Sequence, residues 1–157
     1  MALIDLAQYD ILDLILASKW SEEEQMEIVK VYTEAFSVAL SDAIGSELKE
    51  GDQAEMDKLM QDPTVTWEMI MKFYTDRIPQ LEEKIVYLAM SFKKAYVLDV
   101  YKSKLEEYKT AQNNDGLAAW EQIFKDGLAD NWNEVVRLLK IVETMPSSPT
   151  PAATISQ

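Results

Sequence analysis

QLEEKIVYLAMSFKKAYVLDVYKSKLEEYKTAQ, residues 80–112, decides the fold class. The stretch holds no Gly or Pro; Ile78-Pro79 precedes it and Asn113-Asn114-Asp115-Gly116 follows it. Apolar side chains recur at Leu81, Ile85, Leu88, Phe92, Ala95 or Tyr96, Val100, Leu105 and Tyr108, a spacing that keeps them near one face of a helix. At ~1.5 Å per residue such a helix is about 50 Å long, more than a domain of this size needs to span itself. Its stripe must be covered, and shorter helices on either side are the nearest candidates. The expectation is an all-α fold: an irregular bundle of six or seven helices built around this long one, closed by a C-terminal helical hairpin.

Working upstream, Ile78 is pushed out of the α region by Pro79, so one helix should end there and Pro79 should take the first position of the next. Asp62-Pro63 is expected to open the preceding helix, with aspartate at N-cap and proline at N1; Val65, Met69, Ile70 and Phe73 form its stripe, with Trp67 and Tyr74 beside it. Before that, Gly51-Asp52 is a break, and Asp52 with Glu55 has the spacing of a cap for a short helix through Met56, Leu59 and Met60. Ser21-Glu22-Glu23-Glu24 is a capping box that starts a helix at Glu22, and Trp20 is placed to pack on Met26 as a staple. That helix is expected to run through Val29, Tyr32, Phe36, Ala39 or Leu40 and Ile44 and to stop at Gly45. Residues 1–18 carry Leu3, Ile4, Leu6, Ile11, Leu12, Leu14, Ile15 and Leu16, interrupted by Asp5, Asp10 and Asp13. We expect one short amphipathic helix here, docked on its own domain, because a membrane-surface helix usually carries Lys or Arg on its polar face.

Downstream, Leu117, Trp120, Ile123 and Phe124 predict a short helix from the break at Asn113–Gly116 to about Gly127. Asn131 with Glu134 offers a capping box for a last helix bearing Val135, Val136, Leu138, Leu139 and Val142. Residues 1–145 are expected as a single helical domain. Pro146-Ser147-Ser148-Pro149-Thr150-Pro151 begins a tail, 146–157, without an apolar period and expected to be disordered.

The 157 residues include neither cysteine nor histidine. Disulfides, thiolate chemistry, Cys-type metal sites and the Ser-His-Asp and Cys-His mechanisms are therefore excluded by inventory. The net charge of −13 opposes binding to nucleic acid or anionic lipid. Residues 21–62 hold 12 acidic and three basic side chains, whereas Lys93, Lys94, Lys102, Lys104 and Lys109 lie on the long helix. The lysines could form a nucleic-acid stripe with Tyr96, Tyr101 and Tyr108 interleaved, but Asp99, Glu106 and Glu107 share the helix, and pairing with the acidic helices is expected instead. No apolar run is long enough to span a membrane and the first residues lack the basic n-region of a signal peptide, so a cytoplasmic location is expected.

Site by site, the three glutamates of 22–24 fit a solvated first turn better than a metal cluster. The Ala111–Gln122 window sets Asn113 and Asp115 as a calcium loop would, yet lacks carboxylates at its first and twelfth positions, so a turn and N-cap are expected. Asp99 has no second acid beside it in the stripe. No cofactor and no metal are expected. Met56, Met60, Met69, Met71 and Met90 suit a core or an adaptable groove, and core filler, the commoner use, is expected.

Glu47-Leu48-Lys49-Glu50-Gly51-Asp52-Gln53-Ala54-Glu55-Met56-Asp57-Lys58-Leu59-Met60, then Asp62-Pro63, then Arg77-Ile78-Pro79-Gln80-Leu81-Glu82-Glu83-Lys84-Ile85, with Trp20-Ser21-Glu22-Glu23-Glu24-Gln25 upstream, resembles a family of small uncharacterised all-helical proteins from reduced-genome candidate bacteria. The resemblance covers roughly residues 15–100 and implies an all-helical fold; it carries no activity and no residue roles. The leading expectation is a non-enzymatic protein-protein interaction or scaffold module with Trp67, Phe73, Phe92 and Trp120 as partner anchors, should they be exposed. The alternatives are an acidic nucleic-acid mimic that binds a basic protein and a carboxylate-metal enzyme; a homo-oligomer formed through the long helix is a further expectation.

Overall fold

The computed structural model describes residues 2–145; Met1 and the expected tail of residues 146–157 lie outside the described residues. Every regular element is helical, and there is no strand among the described residues. A 3-10 helix, Leu3–Gln8, is followed by α1 (Ile11–Leu14), α2 (Glu22–Glu47), α3 (Asp52–Gln61), α4 (Trp67–Arg77), α5 (Leu81–Thr110), α6 (Asn114–Leu128) and α7 (Trp132–Thr144). These are eight helices where six or seven were expected. The difference lies at the N-terminus, where residues 3–14 form two short pieces. Tyr9 is extended, the Asp10 carboxylate accepts from the Leu12 N–H at 2.8 Å and restarts the chain, and Leu16 in the left-handed region (φ +58°) ends it.

Chain proximity divides the protein into two compact units, Met1–Met26 with Met90–Gln157, and Glu27–Ala89. The first has a well-filled core. Its N-terminal pieces bury Leu6, Leu14, Ile15 and Ala17; α5 buries Val97 and Tyr101; α6 buries Trp120 and Ile123; α7 buries Trp132, Val135, Leu139 and Val142. Residues 2–18 thus contribute Leu6, Leu14, Ile15 and Ala17 to the core of this unit, as their lack of a basic face suggested. The Tyr101 hydroxyl donates to the Leu14 carbonyl at 2.7 Å, and burial pushes this phenol far above its ordinary range. The Lys93 amine, lowered from its ordinary pKa mainly by burial, donates to the Leu6 carbonyl at 3.0 Å and to that of Tyr9. Lys94 pairs with Asp130 at 2.9 Å and Lys104 with Glu107 at 3.3 Å. The lysines of α5 were expected to meet the acids of 21–62; these three find partners in their own unit. The orphan carbonyls of the short N-terminal helix call for a cation, and Lys93 answers that need.

The second unit is thin. Four of its side chains are buried, Met56, Phe73, Ile78 and Leu81, and no residue of the 26-residue α2 is. Along α2, Tyr32, Phe36, Ala39, Leu40, Ala43 and Ile44 are half-buried, the single-sided pattern of an amphipathic helix covered on one side.

Several boundaries differ from expectation. The Ser21 box forms as read: Ser21 Oγ accepts from the Glu24 N–H at 3.2 Å and the Ser21 N–H donates to Glu24 Oε2 at 3.0 Å. Gly45 does not stop α2, which runs two residues further, since an isolated glycine only weakens a helix. Asp62-Pro63 does not open α4. Asp62 instead closes a turn, accepting from the Thr64 N–H at 2.8 Å and hydroxyl at 2.7 Å, bonds that hold its carboxyl below the usual range. Thr66 caps α4, accepting from the Met69 N–H at 3.3 Å. Pro79 is not the first residue of α5, because Gln80 is left-handed at φ +56° and the helix starts after it. Asn131 makes no side-chain capping bond, and Glu134 pairs with Arg137 at 2.8 Å instead.

Candidate partner-binding groove

The sparse core of the second unit leaves two hollows, of about 770 Å³ and 520 Å³. Leu40 and Ile44 of α2 and Leu81 and Ile85 of α5 line both. The larger is completed by Met56 and Met60 of α3 and by Trp67, Ile70, Met71 and Tyr74 of α4, with Asp57 its one charged wall residue. The smaller is completed by Ala43, Ile78, Tyr87 and Leu88, with Glu47, Glu83 and Lys84 at its edge. Such apolar walls with a few polar groups are the common make-up of recognition sites.

Local chemistry fixes these walls. Gly51 at φ +93° makes the turn between α2 and α3, a conformation other residues adopt only under strain. Arg77, at the end of α4, donates through Nε to Asp52 Oδ1 at 3.3 Å and through a terminal nitrogen to Glu55, so it ties α4 to the first turn of α3. Its guanidinium also donates to the Phe73 carbonyl at 3.1 Å and lies 3.6 Å above the Phe73 ring. The Glu55 hydrogen bond, ahead of the nearby charges, raises Arg77 above its already high ordinary pKa. Asp52 and Glu55 therefore serve an interhelical clamp more than the box expected of them; Asp52 also accepts from the Lys49 N–H at 2.7 Å. Lys84 pairs with Glu47 at 3.0 Å and links α5 to α2.

Of the four anchors suggested by sequence, the structure leaves one at the surface. Trp67 is 69% exposed on the first turn of α4. Phe73, 8% exposed, lies under Arg77; Trp120, 2% exposed, lies in the core of the other unit, its ring 5.6 Å from Tyr101 and 6.3 Å from Tyr108. Both are core residues and offer a partner no contact area, because aromatic side chains at helical spacing serve the interior as readily as an interface. Phe92 is half-buried in the first unit. The methionines, expected from sequence as core filler before groove, divide: Met56 is buried, Met60 is 56% exposed, and both line one hollow with Met71. Tyr101, one of the tyrosines interleaved with the lysines of the long helix, is core.

The Ala111–Gln122 window is a helix start: Asn113 accepts from the Gly116 N–H at 3.1 Å. The helix begins at Asn114, so Gly116 lies inside it rather than in the break expected there. No three acidic side chains converge as a metal ion would require among the described residues, and no helix there is long and apolar enough to cross a membrane. In the first unit a hollow of about 350 Å³ has a mixed wall that includes Asp10, Asp13, Lys140 and Glu143.

The fold and groove define an all-helical acidic protein. No family model, curated protein or solved structure matches the chain.

Proposed function

We propose that the chain is a non-enzymatic interaction module and that the second unit binds another protein through its apolar groove. One observation carries this: the groove gathers Met56, Met60, Met71 and an exposed Trp67 around about 770 Å³ of space that the unit itself does not fill. Tryptophan is prominent among residues that dominate binding energy, and methionine adapts to varied shapes. As part of the same proposal, Leu81–Thr110 is the seam of a helical bundle; in support, it supplies Leu81 to the core of one unit and Val97 and Tyr101 to that of the other.

The test compares capture from a native lysate by the wild-type chain and by Trp67→Ala/Met60→Ala, whose exposed positions leave the fold intact, as circular dichroism would verify. The proposal expects proteins retained by the first and lost by the second. Retention of the same set by both, or of nothing by either, refutes it.

A further inference from the structure

Resting on that proposal, we infer that the groove's occupant is an amphipathic helix of about two turns whose apolar stripe is flanked by Lys or Arg. Three observations lead there. The first is length. The α3 wall of the larger hollow extends from Gln53 to Met60 and its α4 wall from Trp67 to Tyr74, each a rise of ~10 Å at 1.5 Å per residue. An apolar stripe at i, i+4 and i+7 has the same length, the usual anchor spacing of a helix seated in a groove.

The second is the wall chemistry. Apart from Asp57, the larger hollow presents uncharged side chains, and no cation in its wall would anchor the acid group of a small metabolite or lipid. Its fit is to side chains such as Leu, Ile or Phe. No sheet edge exists among the described residues to receive an extended peptide, which leaves a helix as the segment that brings its own backbone hydrogen bonds satisfied.

The third is charge. Residues 27–89 contain 13 acidic and six basic side chains, a net of −7. Three of the six bases are already committed, Arg77 to Asp52 and Glu55, Lys84 to Glu47, and Lys72 to Asp76. The unit as a whole is therefore acidic, and Asp57 in the wall of the larger hollow and Glu83 at the edge of the smaller bring that charge to the groove itself. A second copy docking through the same residues 27–89 would bring −7 against −7, and nucleic acid or anionic lipid would likewise meet like charge. Basic flanks complement the surface and speed encounter.

The test uses two synthetic helical peptides with the same Leu stripe at i, i+4 and i+7, one flanked by Lys and the other by Glu, titrated into the full chain by calorimetry. The Lys peptide should bind about tenfold tighter than the Glu peptide at low salt, the gap should shrink in roughly 0.5 M salt, and Trp67→Ala/Met60→Ala should weaken both at least about fivefold. Equal affinity for the two peptides, with both still sensitive to the double substitution, overturns the basic-partner inference and leaves the groove standing. Binding of the Lys peptide that ignores Trp67→Ala/Met60→Ala overturns the inference and the groove together. A dimer in light scattering that blocks the peptide and dissociates on Trp67→Ala makes the second copy the occupant and also overturns the inference.

Discussion

Replacing Gly116 by alanine should destabilise the protein even though it improves the intrinsic propensity of α6. A Cβ at this position would lie 2.2 Å from Tyr108 Cε1 and 2.3 Å from Cδ1, with Asn113 Cγ at 3.3 Å. Ordinary contact begins near 3.4 Å, so the ring would have to retreat by about 1 Å, and it is held on the last turns of α5 beside the buried Trp120. Overpacking of this kind costs roughly 1–3 kcal/mol. Alanine in place of helical glycine returns about 0.5–1 kcal/mol. The clash outweighs the gain, with a net loss of up to about 2.5 kcal/mol, which for a chain of this length lowers Tm by up to roughly 10 °C. The loss should be visible in thermal circular dichroism and in the urea midpoint. Tyr108→Ala supplies the internal control: with the ring gone, Gly116→Ala should become stabilising by about 0.5–1 kcal/mol, a change of sign within one double-mutant cycle. If Gly116→Ala raises Tm in the wild-type background, or shifts stability equally in both, the close approach of α6 to Tyr108 is not what keeps glycine there.

Gly45 is the contrasting case, a helical glycine whose added Cβ meets nothing within 4 Å; Gly45→Ala should stabilise by about 0.5–1 kcal/mol in a urea titration. Tyr101→Phe removes the donor that the buried Leu14 carbonyl receives at 2.7 Å and should cost roughly 1–3 kcal/mol in the same assay. The same phenol sets a pH dependence. Its folded pKa is raised, so above about pH 10 the unfolded chain loses this proton while the folded one keeps it; the contribution is present below pH 10 and is lost as pH rises beyond it, and wild type should lose more stability than Tyr101→Phe in that range. Lys93→Met leaves the carbonyls of Leu6 and Tyr9 without their cation, and hydrogen exchange should accelerate over residues 3–12 while the amides of α7 keep their protection.

Much of this architecture was legible because helix chemistry is local. The Ser21 cap, the break at Gly51 and the continuity of residues 81–110 each follow from a few neighbouring residues. Errors arose where a residue type has two physical uses. Proline at 63 and 79 signalled helix starts, but in both places the chain turns first, through the Asp62–Thr64 bonds and the left-handed Gln80. Glycine at 116 signalled a break, whereas its role is to admit the Tyr108 ring beside a helix already begun. Nor does residue type distinguish a covered aromatic from an exposed one: Phe73 and Trp67 are both anchors by sequence, yet six residues of one helix turn them to different faces, and Phe73 is covered beneath Arg77 while Trp67 is exposed.

The same ambiguity bears on function, because an apolar side chain left at the surface is informative only against what the rest of the chain achieves. In the first unit, Trp120, Trp132 and Tyr101 are all buried, with aliphatic neighbours from α6, α7 and the N-terminal pieces around them, so this sequence is able to fill a core. In the second unit, aliphatic and methionine residues are as available, yet only Met56, Ile78 and Leu81 of them are buried, with Phe73, and Trp67 and Met60 remain outside next to an unfilled hollow. Burying a side chain of this size is worth roughly 1.5–3 kcal/mol, a sizeable share of the stability of an ordinary domain. A helix seated in that hollow would recover this energy from another molecule, and the recovered energy would appear as affinity. On this view the incomplete core and the acidic surround act together, one providing binding energy and the other selecting which helix receives it.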